Sequence, residues 1–212
     1  MSVKSPDDIL PLVEKPSRYL GGEVNAVKKA ADNAVSLRMA LAFPDTYEIG
    51  TSHFGIQILY HLLNRQEYIA AERVFAPGMD MARQLKTAGQ PLFALESRRP
   101  LACFDIIGFS LLYELNYTNV LMMLDLAGIP FYAADRDERH PFIIAGGPCT
   151  VNPEPMAPFF DAMVIGDGET AVMEMAEAWM KWKAGGGEDK TDLLKTWAGI
   201  EGVYVPRFFA VH

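Results

Sequence analysis

Five short segments are apolar along nearly their whole length and bounded by Gly, Pro or Asp: Leu37 to Phe43, Ala71 to Phe75, Phe104 to Phe109, Phe142 to Ala145 and Ala162 to Ile165. Runs that are apolar on both faces suit strands of a parallel sheet covered on each side by helices. Between them the apolar residues fall at helical spacing. Ile56, Leu59, Tyr60 and Leu63 recur at i, i+3, i+4 and i+7, as do Tyr117, Val120, Leu121 and Leu124, and Val172, Met175, Ala176 and Trp179. Each set makes one buried stripe, and the Met and Trp residues on these stripes read as core. A further helix is expected over Asp80 to Thr87. Strands alternating with helices through short connections predict a parallel α/β sheet with right-handed crossovers.

Five such strands suit the order 2-1-3-4-5, a doubly wound, flavodoxin-like (Rossmann-like) sheet in which the chain reverses direction between the first and third strands. Ligands of such sheets bind at that reversal, beyond the carboxyl ends of the strands. The loops to watch therefore begin at Pro44, Ser110, Gly146 and Gly166. The pattern divides the chain into an N-terminal extension (1–34), the α/β domain (35–184) and a segment (185–212) expected to be a linker into a following domain. Within the flanks, Asp7 to Glu14 and Leu193 to Trp197 each suggest a short helix, and Ala184 to Lys190 a flexible Gly-rich turn. Gly202 to Val211 reads as extended and apolar, with Pro206 barring it from a central strand. An apolar stretch running to His212 is an unusual terminus and suggests a fragment of something longer.

Composition narrows the function classes. A chain of 212 residues should bury about 70% of its unfolded surface. Nineteen Lys and Arg stand against 27 Asp and Glu, for a net charge of −8. With no basic run, the chain is a poor candidate for wrapping nucleic acid or lying on anionic lipid. No signal-peptide pattern opens it, and no apolar run approaches the roughly 18 residues of a membrane span. The two cysteines, Cys103 and Cys149, are too few for a disulfide framework, and Cys103 reads as a buried strand residue. The cytoplasm is the expected compartment.

Four loops carry candidate chemistry. After the first strand, Gly50 and Gly55 would let backbone approach a ligand, Thr51 or Ser52 would cap the next helix, and His53 would sit in its first turn. After the third strand, Ser110 places a hydroxyl at the crevice mouth, with Leu112, Tyr113 and Glu114 beyond it. Gly146-Gly147-Pro148 follows the fourth strand directly, and two glycines there imply a tight turn or a backbone pressed against a ligand. Gly166, Gly168 and Glu169 open the fifth-strand helix, where acidic groups suit the N-terminus as caps. The third strand ends in Ser110, not Asp, which excludes a phosphoryl receiver. The acids and His53 name no reaction by spacing, so no residue is assigned a catalytic or metal-ligating role.

Taken together, Ser110-Leu111-Leu112 and Gly146-Gly147 resemble the S-x-L and G-G marks of cobalamin-binding domains of the methionine synthase type. That resemblance implies contact of Ser110, Leu112, Gly146 and Gly147 with the nucleotide tail of cobalamin. The family's D-x-H-x-x-G mark is missing, because the local string is Thr51-Ser52-His53-Phe54-Gly55. His53 therefore lacks the aspartate that orients a cobalt-ligating ring. A closer resemblance spans FPDTYEIGTSHFGIQILYHLLN, ESRRPLACFDIIGFSLLYELNYTNVLMMLDLAGIPF and PFIIAGGPCTVNPEPMAPFFDAMVIGDGE. These are similar to the N-terminal part of a bacterial radical S-adenosylmethionine (radical SAM) family. Its members join a cobalamin-binding-like domain to a barrel that holds a 4Fe-4S cluster and S-adenosylmethionine. The resemblance implies an accessory domain, non-catalytic alone, whose partner is the radical SAM barrel of the same full-length protein. Two alternatives stay open: a docking domain that has lost cobalamin, and a flavin-binding domain with a phosphate at Gly50-Thr51-Ser52.

Overall fold

The structure, a computed structural model, describes residues 5–29 and 34–209. Residues 1–4 and 30–33 of the expected N-terminal extension, and 210–212 of the expected extended end, lie outside the described residues. The helices are α1 (Pro6–Ile9), α2 (Tyr47–Gly50), α3 (Phe54–Asn64), α4 (Met79–Ala88), α5 (Tyr117–Ala127), α6 (Gly168–Ala184) and α7 (Lys190–Ala198). The strands are β1 (Leu37–Phe43), β2 (Ile69–Phe75), β3 (Ile106–Ser110), β4 (Phe142–Gly146), β5 (Ala162–Val164) and β6 (Val203–Tyr204).

The sheet runs β2-β1-β3-β4-β5-β6. Its first five strands are parallel, and β6 pairs antiparallel with β5. The expectation of a five-stranded, wholly parallel sheet is thus corrected in both strand count and order at this edge. Two residues are too short a run to announce a strand by periodicity. Residues 190–205 pack back on the sheet instead of leading away from it. Asp189 caps α7 by accepting from the Thr191 N–H at 2.7 Å, and Trp197 is fully buried. The Trp197 indole N–H donates to the Met175 carbonyl at 3.0 Å, and its ring meets the Phe142 ring edge-on at 5.0 Å. Burial of one such side chain is worth about 1.5–3 kcal/mol.

Strand periodicity divides the core into two layers. Leu37, Met39, Leu41 and Phe43 of β1 face α3, α6 and α7, whereas Ala40 and Ala42 face α4 and α5. The same alternation sends Ile106 and Ile107 of β3 to opposite faces. At the β2 edge, the loop holding Glu96-Ser97-Arg98-Arg99-Pro100 closes over the strand. Arg73 donates from its backbone N–H and its Nε to the two oxygens of Glu96, at 2.8 and 2.7 Å. Glu72 accepts from Ser97 N–H and Oγ. Burial pushes the Glu96 carboxyl above its usual range, with Arg73 opposing. Covering an edge strand in this way blocks its pairing with other chains.

Cys103 is exposed and ends a short 3-10 turn, Leu101–Cys103, so the expectation of a buried strand residue is corrected. Pro100 precedes that turn, and β3 begins only at Ile106, after the Asp105 carboxylate has accepted from the Arg38 N–H at 2.8 Å. No helix among the described residues is long and apolar enough to cross a membrane.

Candidate functional site

A cleft of about 330 Å³ opens at the carboxyl edge between the sheet, α3 and α6. This is near the lower end of the roughly 300–1,000 Å³ usual for small-molecule sites. Its floor is apolar: Met39 and Leu41 of β1, Ile144 of β4, Val164 of β5, Leu59 of α3 and Val172 of α6. Gly108 in mid-β3 is the residue that makes room. It pairs between Leu41 and Ile144, where any larger residue would add a side chain to this face. A Cβ there would come 3.1 Å from the Met39 terminal methyl.

The mouth is built from three loops. Ser110 pairs directly with Gly146, and the Leu111 N–H donates to the Gly146 carbonyl at 2.7 Å. The Cys149 N–H returns a bond to the Leu111 carbonyl at 3.1 Å. Gly147 has φ +109, and a Cβ there would lie 2.7 Å from the Leu111 carbonyl oxygen, so the close approach of these two loops requires glycine. The Thr150 hydroxyl ties this turn to β5 through the Val164 carbonyl at 2.7 Å. Asn116 and Asn119 both donate to the Pro44 carbonyl, joining the β3 and β1 loops. By contrast, a Cβ on Gly166 or Gly168 would meet nothing within 4 Å, and one on Gly146 only Val164 at 4.0 Å. Those three positions border empty space.

The cleft brings together His53, Gly55, Ser110, Leu112, Gly146, Gly147, Pro148, Gly166, Gly168 and Glu169, with Asp167 beside them. It does not include Gly50, Thr51, Ser52, Tyr113 or Glu114. Gly50 is glycine for packing, since a Cβ there would lie 2.3 Å from the Phe75 ring. The Thr51 and Ser52 hydroxyls donate back to Tyr47 and Ile49 carbonyls, so the expected capping of α3 by either is corrected. His53 occupies the cap position without a side-chain cap bond. Likewise Asp167 stands at the cap of α6 and makes no side-chain cap bond. Simple capping therefore does not account for Asp167.

The His53 ring packs 5.5 Å from that of Phe43 and over Gly55. Its Nδ1 is buried without a hydrogen-bond partner. Cys149, next to the double glycine, is buried, and burial with the nearby Glu114 charge pushes its thiol above the ordinary value. A thiol held protonated is a poor nucleophile or metal ligand. Among the described residues no group of three or more His, Cys, Asp or Glu could hold a metal ion.

A larger groove, about 860 Å³, lies at the β5–β6 side. Its walls are charged, and its buried charges are paired, although the Arg136 Nε is left without a partner. Arg136 and Asp161, with side chains 0% and 6% exposed, pair at 3.1 Å. Asp161 also accepts from the Ile143 N–H at 2.7 Å, and Arg136 donates to three backbone carbonyls. Lys190 donates to the His140 carbonyl at 2.7 Å, and Tyr204 donates to Glu154 at 2.6 Å.

Compared with known families, residues 55–206 match the family described as radical SAM proteins, N-terminal. The chain belongs to that family. No curated protein and no solved structure matched it. The match covers β2 to β6 and the β3, β4 and β5 loops of the cleft, while β1 and His53 precede it. Sequence reasoning missed the floor of this radical SAM N-terminal domain's cleft: Met39, Leu41, Leu59, Gly108, Ile144, Val164 and Val172. One signal was present, a glycine inside the apolar run Phe104 to Phe109, since strand glycines often mark a close approach.

Proposed function

We propose that this region is the cobalamin-binding-like accessory domain of a radical SAM protein, non-catalytic by itself. The cleft would receive the nucleotide tail of the cofactor, with its flat base against Leu41, Ile144 and Val172. Ser110, Leu112, Gly146 and Gly147 would border the tail. Cobalamin would supply its cobalt chemistry outside the cleft. The iron–sulfur cluster and S-adenosylmethionine would belong to the radical SAM domain.

The observation that carries this reading is the open space over Gly146, Gly166 and Gly168 above an apolar floor that Gly108 deepens. At Gly146 and Gly168 neither a positive φ nor close packing requires glycine. With no hydrogen-bond partner to fix its ring, His53 is not set up as a cobalt ligand. That same feature favours the second reading, a docking domain without cofactor. A flavin fits less well. Its phosphate would meet Asp167 and Glu169 at α6, and the Thr51 and Ser52 hydroxyls are already committed to carbonyls.

The test is an anaerobic titration of hydroxocobalamin followed by gel filtration and a visible spectrum. Stoichiometric retention with a base-off spectrum is expected. No retention, by this chain and by the radical SAM protein containing it, would leave the docking reading.

A further inference from the structure

The loops that end the parallel strands carry large apolar side chains the core does not use. Ile49 in α2, Phe54 opening α3, Tyr113 and Leu115 after β3, Val151 after β4 and Ile165 after β5 are all exposed, Phe54 by 78% and Leu115 by 91%. Parallel strand direction puts all of these loops at one edge of the sheet. Single exposed apolar residues are normal, but their concentration at one edge marks an interaction surface.

Charge at this edge is equally one-sided. Segments 44–55, 111–116, 147–157 and 165–169 contain no Lys or Arg, while Glu48, Glu114, Glu154, Asp167 and Glu169 there are exposed. Lys15 and Arg18 reach in from the N-terminal extension, and both pair with Glu48. Glu114, Asp167 and Glu169 make no ion pair among the described residues.

We propose that the carboxyl edge is the docking face for the radical SAM domain of the same protein, met by a surface apolar at its centre and bearing Lys and Arg at its margin. Two copies of this chain placed face to face would set acid against acid, and nucleic acid or anionic lipid would be repelled. A protein surface of opposite charge satisfies both the apolar side chains and the carboxylates. A domain tethered in the same polypeptide also meets this face at high effective concentration. The proposal does not rest on cobalamin, since the apolar edge needs covering whether or not the cleft is filled.

Hydrogen exchange tests it, comparing the 212-residue chain with the radical SAM protein that contains it, both without cobalamin. Amides in 47–55, 112–116, 149–154 and 165–169 should exchange at least about tenfold more slowly in the larger protein, while those of 133–139 are unchanged. Phe54→Glu with Leu115→Glu should abolish the difference yet leave the melting temperature of the 212-residue chain unaltered, because both side chains already face water. Equal exchange in the two proteins, protection confined to 133–139, or protection that survives the double substitution would overturn the proposal. So would a dimer of the short chain closed through these loops.

Discussion

The molecule has two concavities, and the larger is the poorer candidate. The groove beside β6 has more than twice the volume of the carboxyl-edge cleft, but its buried charges, the Arg136 Nε apart, already hold one another or the backbone. Arg136, Asp161 and Lys190 fasten the turns around β4 and β5. The cleft differs: Asp167 makes no cap bond, and glycines stand where side chains would close the space. Volume alone does not nominate a site; an apolar floor under convergent polar groups, kept open by glycine, does.

Substitutions that separate structure from binding sharpen this contrast. The largest effect is expected in the groove. Asp161→Ala leaves the buried Arg136 guanidinium without its counter-ion and should cost about 3–5 kcal/mol in urea unfolding. A loss under about 1 kcal/mol would show that the Arg136 guanidinium is solvated or finds another partner. Next comes Gly146→Leu, which fills the cleft mouth. It should weaken hydroxocobalamin binding by at least about tenfold, or about 1.4 kcal/mol, while changing unfolding stability by less than that.

Lys190 gives a pH test of the groove. Burial lowers its ammonium pKa below the usual 10.5, so the folded state releases this proton before the unfolded state does. Stability from this group should rise with pH between its folded value and 10.5. The stability difference between wild type and Lys190→Met should grow over that window and stay flat near neutrality. A flat difference throughout would mean that Lys190 is solvated. The smallest effect is expected at His53. His53→Ala removes an unpartnered nitrogen and a ring packed on Phe43, and should change stability by about 1 kcal/mol or less, leaving the spectrum of bound cobalamin as it was. A changed spectrum would make His53 a ligand.

How much of this was legible follows from what periodicity records. The bounds of β1, Leu37–Phe43, could be read directly, because every residue is apolar except Arg38 and a proline follows. The stripes of α3, α5 and α6 were equally plain. Periodicity states that Met39, Ile144 and Val172 are buried, but not that they border a cleft instead of filled core; that depends on Gly108 standing beside them in register. Cys103 and Phe104 read as strand because apolar residues in a 3-10 turn and in a strand have the same composition. The mouth was more readable than the floor, since Ser110, Gly146 and Gly147 depart from what strands and helices need. Thr51 and Ser52 misled because a short helix, α2, claims their hydroxyls.

The measurement that bears most directly on the cleft is an amide nitrogen–proton NMR titration of the protein with hydroxocobalamin. The account predicts shifts concentrated at Gly55, Gly108, Gly146, Gly147, Gly166 and Gly168, with Ala133, Asp135 and Thr191 of the groove unmoved. Shifts at the groove residues instead, or none at saturating ligand, would contradict it.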